Sequence, residues 1–193
     1  MKQTVTLLRH GETVGAARFR GRIDEPLSDL GCQQMQQATT EGAWDLIVSS
    51  PLCRCRDFAQ QLAQQKDLPL QINDDWQEMD FGQWEGKSPA DLIQSDPEAL
   101  ERFWSEPDLF TPPEAEPLAD FSQRVKNGWA ALPTEYERIL VVTHGGPIRL
   151  SLCAASGTPD KQLLQFNALH AGLTPFSLQQ SEAGPILKRL KSA

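Results

Sequence analysis

The sequence predicts an α/β fold, a three-layer α/β/α sandwich built around a mostly parallel central sheet. Short runs of apolar, often β-branched residues at 4–8, 46–49 and 139–143 indicate strands that are buried on both faces. Segments with helical periodicity separate these runs, and alternating strands and helices are typical of a parallel sheet covered by helices. A length of 193 residues suffices for one core, so we predict a single domain over residues 1–193.

Each of the three apolar runs leads directly into basic residues. The first ends at Arg9-His10 and the third at His144, each followed by glycine, and the second leads into a loop that carries Arg54. The carboxyl ends of parallel strands share one edge of the sheet, where open α/β folds bind ligands. We therefore expect these two histidines and two arginines to converge there, as an anion pocket that contains a nucleophile.

The helices follow from capping residues, prolines and glycines. We predict helices that begin near Ser28, Leu52, Ser88, Asp96, Leu118, Gly145 and Lys161. In the first of them, Leu30, Met35 and Ala38 are expected to face the core. The helix from Leu118 carries apolar residues at spacings of three and four, which predicts a buried stripe.

The remaining segments complete the predicted architecture. Residues 69–72 form a short strand, and strands at 173–179 and 185–190 form a terminal hairpin at the sheet edge, joined by residues 181–184. The proline- and acid-rich residues 107–117 are predicted to form a surface flap.

Composition restricts the class of partner. The formal net charge is −8, which argues against a nucleic acid or an acidic membrane surface. No apolar signal core precedes the first strand, and no run approaches about 18 apolar residues, so we expect a cytoplasmic protein. The four cysteines lack the spacing of a zinc site, and we expect them to be reduced. A monomer or a homodimer is expected.

A general acid is expected in the segment 75–86, where carboxylates alternate with aromatic residues and glycines. Apolar rings beside a carboxyl group raise its pKa towards the range that a general acid needs. Four residues compete for this role, namely Asp75, Glu78, Asp80 and Glu85. The residues alone do not decide between them.

Several nearby residues allow two interpretations each. Arg18, Arg20 and Arg22 form either a solvated loop face or a guide for phosphate. His170 is either structural or in contact with substrate. Glu12 either orients His10 through a hydrogen bond or takes part in function.

Two helix starts lie beside the expected pocket. The free amides of Gly145 and Gly146 are predicted to bind a phosphoryl oxygen, because helix amino termini attract anions. Arg54 lies in the first turn of the helix from Leu52, so an anion at that end would gain from both its amides and the guanidinium.

At residues 8–13 the sequence Leu-Arg-His-Gly-Glu-Thr resembles the histidine phosphatase superfamily, also called the phosphoglycerate mutase-like family. Segments 26–31, 49–54, 78–86 and 143–146 are similar to further motifs of that family, in the same order. The resemblance covers nearly the whole chain. It selects Arg54 over Arg56, and it selects Glu78 among the four competing acids.

The resemblance implies a reaction and a set of site residues. Neutral His10 would attack a phosphate monoester and form a phosphohistidine, while Arg9, Arg54 and His144 hold the phosphoryl oxygens and Glu78 protonates the leaving group. No metal and no cofactor are expected. Substrate contacts are also assigned to Gly145, Arg20, Gly21 and Glu116. Departures from the family pattern at Ala16, Phe58 and 114–117 weaken the transfer of substrate contacts.

The implied function is a phosphatase that acts on a small phosphorylated metabolite. The chain lacks the extra length of true mutases, and its pattern is most similar to α-ribazole phosphatases of cobalamin assembly. Phosphoglycerate mutase activity and a silent phosphate-binding module are the alternatives. A metal site formed by His10, His144 and a carboxylate is also conceivable, but the adjacent arginines would repel a cation.

Overall fold

The computed structural model describes residues 2–182 and 184–191. Met1, Ala183, Ser192 and Ala193 lie outside the described residues, and with Ala183 so does part of the predicted turn at 181–184. The strands are β1 (Lys2–Arg9), β2 (Leu46–Ser49), β3 (Leu70–Ile72), β4 (Arg138–Thr143), β5 (Leu173–Gln179) and β6 (Ile186–Arg189). The α-helices are α1 (Asp29–Thr39), α2 (Cys53–Lys66), α3 (Pro89–Ser95), α4 (Pro97–Ser105), α5 (Leu118–Ala130) and α6 (Gly145–Ser156). Short 3₁₀ helices span Asp74–Trp76, Gly82–Trp84 and Asp160–Gln165.

The six strands form one sheet in the order β3-β2-β4-β1-β5-β6. The pairs β3–β2, β2–β4 and β4–β1 are parallel, whereas β5 and β6 join in antiparallel fashion at one edge. The predicted α/β fold with a mostly parallel sheet is therefore confirmed. The terminal hairpin also lies at the sheet edge, as predicted.

Helices cover both faces of the sheet and create two hydrophobic cores. Leu7 and Val141 pack in one core with α5 and α6, whereas the next residues, Leu8 and Val142, pack in the other with α1 and α2. Successive side chains of a strand point to opposite faces. The apolar runs are continuous for this reason, and the sandwich has the three predicted layers.

The predicted inward orientation of Leu30 is wrong. Its side chain is 50% exposed, whereas Gly31, Met35 and Thr39 form the buried face of α1 at a spacing of four residues. A helix turns about 100° per residue, so Leu30 points away from the face that contains Gly31. Gly31 packs directly against the β1–α1 loop, since a Cβ there would lie 1.9 Å from the carbonyl oxygen of Glu12.

The segment 107–117 packs against the acid-bearing segment. The N–H of Gln83 donates to the carbonyl of Pro113, and the N–H of Glu116 donates to the carbonyl of Asp80. The predicted stripe of α5 is buried as expected. Within residues 2–182 and 184–191, no helix combines the length and apolar character needed to cross a membrane.

Candidate active site

The site forms where β1 and β4 end side by side. Arg9 is in register with Thr143, so the following residues, His10 and His144, are adjacent and their ring centroids lie 5.2 Å apart. The His170 ring lies 5.6 Å from His10 on the other side. A cavity of about 220 Å³ opens at this edge, and its lining consists of Arg9, His10, Arg18, Phe19, Arg20, Glu78, Phe81, Arg149 and His170.

His10 is held as a neutral imidazole with a free lone pair. Its Nδ1 lies 2.7 Å from the carbonyl oxygen of Gly11. A carbonyl oxygen only accepts hydrogen bonds, so Nδ1 carries the proton and Nε2 carries the lone pair. Burial, reinforced by the positive charge of Arg54, holds the pKa of His10 well below its ordinary value. The neutral ring therefore presents an unprotonated Nε2.

Arg54 lies fully buried beneath the 20–23 loop. Its Nη atoms donate to the carbonyls of Ile23 at 2.7 Å, Gly21 at 2.8 Å and Arg20 at 3.2 Å. Its Nε donates to Nδ1 of His144 at 3.2 Å. These contacts fix the guanidinium against the histidine pair.

His144 is also neutral, and its tautomer is the opposite of that of His10. Because Nδ1 accepts from Arg54, the proton resides on Nε2, which lies 2.8 Å from the hydroxyl of Ser50. Burial and the charge of Arg54 hold the pKa of His144 well below its ordinary value. Ser50 and Arg54 thus fix the orientation of this ring.

The predicted anion at the start of α2 is a residue of the chain itself. The N–H of Cys53 donates to the carboxylate of Asp24 at 2.6 Å. Arg54, the next residue, reaches instead towards His144. The amino terminus of this helix is therefore satisfied internally.

Arg9 and Arg149 place two guanidinium groups beside Gly145. The Nε of Arg9 is buried without a hydrogen-bond partner in the described chain. A Cβ on Gly145 would lie 2.9 Å from Nη1 of Arg149, so glycine provides space for that guanidinium, whereas Nε of Arg9 would be in ordinary contact at 3.5 Å. Within the described residues, the ion pairs do not include Arg9, Arg54 or Arg149. Arg9 and Arg149 line the cavity, so their positive charge is available to an anion there, whereas the predicted phosphate contacts Arg54 and His144 are fully buried and absent from the lining.

Arg149 was missed in the sequence, although a signal was present. It follows Gly145 by four residues on α6, and residues at that spacing share one helix face. Its Nε donates to the carbonyl of Phe166 at 3.1 Å, which anchors the side chain at the cavity wall.

Glu78 occupies the amino terminus of α6. Its carboxylate accepts from the N–H of Gly146 at 3.1 Å and from its neighbour Met79 at 3.0 Å. The predicted role of the Gly146 amide as a phosphoryl ligand is therefore wrong, because that donor is committed to Glu78. A Cβ on Gly146 would lie 2.1 Å from Oε1 of Glu78, so the carboxylate needs glycine at this position.

The other three acids of the segment 75–86 are not in the cavity lining. Glu85 accepts from the backbone N–H groups of residues 21–23 at 2.9–3.1 Å, and from Phe81 at 3.0 Å. Neither Asp75 nor Asp80 lines the cavity. Glu78 is thus the acid that the structure places beside His10.

Two of the predicted substrate contacts have other partners. Arg20 lines the cavity, but its Nε donates to Glu25 at 2.5 Å. Glu116 does not line the cavity, because its carboxylate forms an ion pair with Arg124 at 2.7 Å. Arg124 in turn donates to the backbone carbonyl of Glu78 at 3.1 Å. Glu116 therefore supports Glu78 indirectly, through Arg124.

Gly21 connects two parts of the site through its backbone. Its carbonyl accepts from Arg54, and its N–H donates to Glu85. A Cβ on Gly21 would lie 2.0 Å from the carbonyl oxygen of Met79. The predicted involvement of Gly21 is thus structural in this geometry.

The structure also shows where the residues that allowed two interpretations lie. Arg18 and His170 line the cavity, which favours their functional interpretation. Arg22 is absent from that lining and lies 4.0 Å from Asp80. The carboxylate of Glu12 accepts from the hydroxyl of Ser28 at 3.0 Å, whereas Nδ1 of His10 pairs with Gly11, so the interpretation in which Glu12 orients His10 gains no support. Within residues 2–182 and 184–191, no group of three or more histidine, cysteine or acidic side chains is arranged to hold a metal ion.

This pair of histidines among arginines, at the carboxyl edge of a mostly parallel sheet, agrees with what comparison with known proteins finds. The chain belongs to the histidine phosphatase superfamily (branch 1), whose family profile matches residues 5–192. The resemblance identified from the sequence motifs is confirmed. Membership supports the predicted enzyme class, a phosphatase.

Individual relatives show how similar the chain is to particular phosphatases and how much of each protein it covers. A bifunctional protein of Mycobacterium tuberculosis is 38% identical over 163 residues, which cover 78% of this chain but only 44% of that protein. The adenosylcobalamin/alpha-ribazole phosphatase of Escherichia coli is 33% identical over 83% of this chain and 82% of its own length. The crystal structure of the alpha-ribazole phosphatase from Shigella flexneri superposes with a TM-score of 0.83 at 28% identity, covering 98% of this chain and 96% of that one. The chain thus spans less than half the length of the mycobacterial relative.

Proposed function

We propose that the protein is a metal-independent phosphomonoester hydrolase that acts through a phosphohistidine intermediate. The geometry of His10 carries this proposal. Its Nδ1 proton is committed to Gly11, its pKa is depressed by burial, and the ring lines a cavity that also contains Arg9 and Glu78. A neutral nucleophile, cationic donors and an acid are the three components that phosphoryl transfer to an imidazole requires.

In the first step, the Nε2 lone pair of His10 forms a bond to phosphorus while the ester P–O bond breaks. Protonated Glu78 donates its proton to the departing oxygen, so the alcohol leaves neutral and Glu78 becomes a carboxylate. Arg9 and Arg54 stabilise the charge on the phosphoryl oxygens. Because the imidazole enters neutral, its attack does not require prior removal of a proton.

In the second step, a water molecule attacks the phosphohistidine and the P–N bond breaks. Glu78, now a carboxylate, accepts a proton from this water and returns to its protonated form. Inorganic phosphate leaves, and His10 regains its lone pair. The backbone N–H groups of Gly146 and Met79 hold the carboxyl group of Glu78 in place during both steps.

We propose a small phosphorylated metabolite as the substrate, with α-ribazole 5′-phosphate as the first candidate. The relatives from Escherichia coli and Shigella flexneri that carry this name cover most of the chain. We also propose that the protein works in the cytoplasm as a monomer or homodimer. All four cysteines are free thiols, as expected for a reducing compartment.

The proposal is tested by phosphate release in excess EDTA. The panel comprises p-nitrophenyl phosphate, α-ribazole 5′-phosphate and 3-phosphoglycerate, with His10→Ala as the matched inactive variant. Metal-free hydrolysis that disappears in His10→Ala is the expected result, and α-ribazole 5′-phosphate is expected to give the highest kcat/KM. Phosphohistidine is acid-labile and base-stable, whereas phosphoserine and phosphothreonine are acid-stable and base-labile. The intermediate is therefore sought as an acid-labile, base-stable phosphoryl label on His10.

Two outcomes would contradict the proposal in different ways. Isomerisation of 3-phosphoglycerate in the presence of 2,3-bisphosphoglycerate would indicate a mutase. Binding of phosphate without turnover of any ester would indicate a silent binding module.

A further inference from the structure

A second cavity, of about 170 Å³, adjoins the one that contains His10. Four residues line both cavities: Phe19, Glu78, Phe81 and Arg149. The two cavities therefore meet at Glu78, the residue that protonates the leaving group in the proposed reaction. A substrate whose phosphoryl group sits beside His10 would direct the rest of the molecule past Glu78.

The second cavity, which we call the apolar pocket, has a different chemical character. Glu78 and Arg149 are the charged residues of its lining, and both lie at the end that it shares with the first cavity. The rest of the lining is apolar apart from backbone, and comprises Phe19, Met79, Phe81, Phe103, Trp104, Pro107, Leu118, Phe121, Gly146, Leu163 and Leu164. Such a lining offers few hydrogen-bond partners to a polar leaving group such as glycerate or serine.

The aromatic residues are arranged to accept a flat group. Phe19 packs edge to face on Phe81 and on Phe103, with centroids 5.0 and 5.9 Å apart. Edge-to-face pairs leave ring faces and edges available to a further ring. Trp104 and Leu164 are each 47% exposed, although both line the apolar pocket. A bound apolar group would remove part of that surface from water.

The size of the apolar pocket sets an upper limit to its occupant. An apolar cavity of about 150 Å³ accommodates one benzene molecule. The apolar pocket is similar at about 170 Å³, so it has room for one aromatic ring.

We propose that the apolar pocket is the leaving-group subsite, and that the substrate is a phosphomonoester whose alcohol carries a flat, apolar ring. This inference rests on the proposed phosphatase function and names the class of its substrate. Glu78 then stands between the two halves of the substrate, where it can reach the bridging oxygen.

A pair of esters tests the inference directly. 2-Phenylethyl phosphate and ethyl phosphate differ by one phenyl group, and their leaving alcohols are almost equally acidic, so chemistry alone predicts similar rates. Burial of the ring predicts a kcat/KM that is roughly 10- to 100-fold higher for the phenylethyl ester. A ratio near one would overturn the inference, while hydrolysis of both esters would leave the phosphatase function intact.

A matched pair of variants locates the effect. Leu164→Gln introduces a polar group at the mouth of the apolar pocket and is expected to lower the ratio at least fivefold. Leu30→Gln makes the same change at a leucine that is 50% exposed on α1 and lines neither cavity, and it should retain the native ratio. Equal ratios in both variants would show that the ring binds elsewhere.

A binding measurement separates the inference from turnover. In 3-phenylpropylphosphonate the bridging oxygen is replaced by carbon, so the compound cannot be cleaved. Calorimetry should show that it binds roughly 10- to 100-fold more tightly than propylphosphonate. Equal affinities would contradict the subsite. If the phenyl preference in binding is present but neither ester is hydrolysed, the phosphatase function fails and the subsite stands.

Discussion

Glu85 and Arg54 both bind the backbone of the 20–23 loop. The carboxylate of Glu85 accepts the N–H groups of residues 21–23, whereas Arg54 donates to three carbonyls of residues 20–23. Arg54 also donates to His144. Glu85 is therefore connected to His144 through the 20–23 loop and Arg54, without a direct contact to the ring.

Glu85→Gln is expected to impair phosphate binding and stability together. The amide offers one acceptor where the carboxylate offers two, and its NH₂ group faces backbone donors. Each weakened charged hydrogen bond costs about 1.5–3 kcal/mol, so the free energy of unfolding should fall by about 2 kcal/mol in urea titrations. If the loop positions Arg54, the affinity for inorganic phosphate should fall roughly tenfold as well.

The control for this prediction is Glu137→Gln, which changes an exposed glutamate beside the amino end of β4. It should leave both quantities close to native. A purely structural role of Glu85 would lower stability without changing phosphate affinity in the folded protein, and that result would contradict the positioning role.

Glu78→Gln should separate substrates by their need for an acid. Ethyl phosphate releases a strongly basic alkoxide, so loss of the acid should lower kcat by roughly 10²–10⁴-fold. p-Nitrophenolate leaves without protonation, and its ester should lose far less. The measurement is kcat for the two esters side by side. An equal loss on both would mean that Glu78 is not the general acid.

Two adjacent glycines should give opposite phenotypes when replaced by alanine. In Gly145→Ala the new Cβ approaches Arg149 and Arg9, so KM for p-nitrophenyl phosphate should rise roughly tenfold, which corresponds to about 1.4 kcal/mol. In Gly146→Ala the Cβ displaces Glu78, so kcat for ethyl phosphate should fall at least roughly tenfold more than for p-nitrophenyl phosphate. Indistinguishable kinetic profiles for the two variants would refute this division of roles.

The depressed pKa values of His10 and His144 predict how stability depends on pH. Below about pH 6.5 the unfolded chain takes up protons on histidines that remain neutral in the folded protein, so acid favours unfolding. This contribution to stability is fully present above the histidine pKa of the unfolded chain. It is lost as the pH falls towards the lower pKa of the folded protein. Each group contributes up to about 1.4 kcal/mol per pH unit in that window.

The check is the free energy of unfolding of the native chain and of His10→Gln, measured in urea between about pH 5 and pH 7.5. In the variant, the slope of the free energy of unfolding against pH should be smaller by up to about 1.4 kcal/mol per pH unit. Activity should depend on the same ionisation of His10, because protonation removes the lone pair of Nε2. The acid limb of the pH profile of kcat/KM should therefore lie below pH 6.5. Parallel stability curves for the two proteins would contradict the depressed pKa of His10.

The sequence predicted the sheet edge well because strand burial and chain direction are local properties. Continuous apolar runs before His10 and His144 established parallel neighbours, and their side chains meet as expected. The motif resemblance then selected Glu78, which lines the cavity, and Arg54, which binds His144 but does not line the cavity.

What the sequence left open depends on contacts between distant segments. Glu85 and Glu78 have the same chemistry seven positions apart, and only the partners at residues 21–23 and Gly146 distinguish them. Asp24 satisfies the start of α2 from 29 residues away in sequence. The apolar pocket draws on segments from residue 19 to residue 164, so no single pattern predicts it.

Arg9 and Arg149 line the cavity that contains His10, and neither forms an ion pair in the described chain. The same donors that receive a phosphate ester also receive inorganic phosphate, the product of the proposed reaction. We therefore expect inorganic phosphate to compete with the ester for these donors, so that turnover in the proposed reaction slows as the phosphate concentration rises.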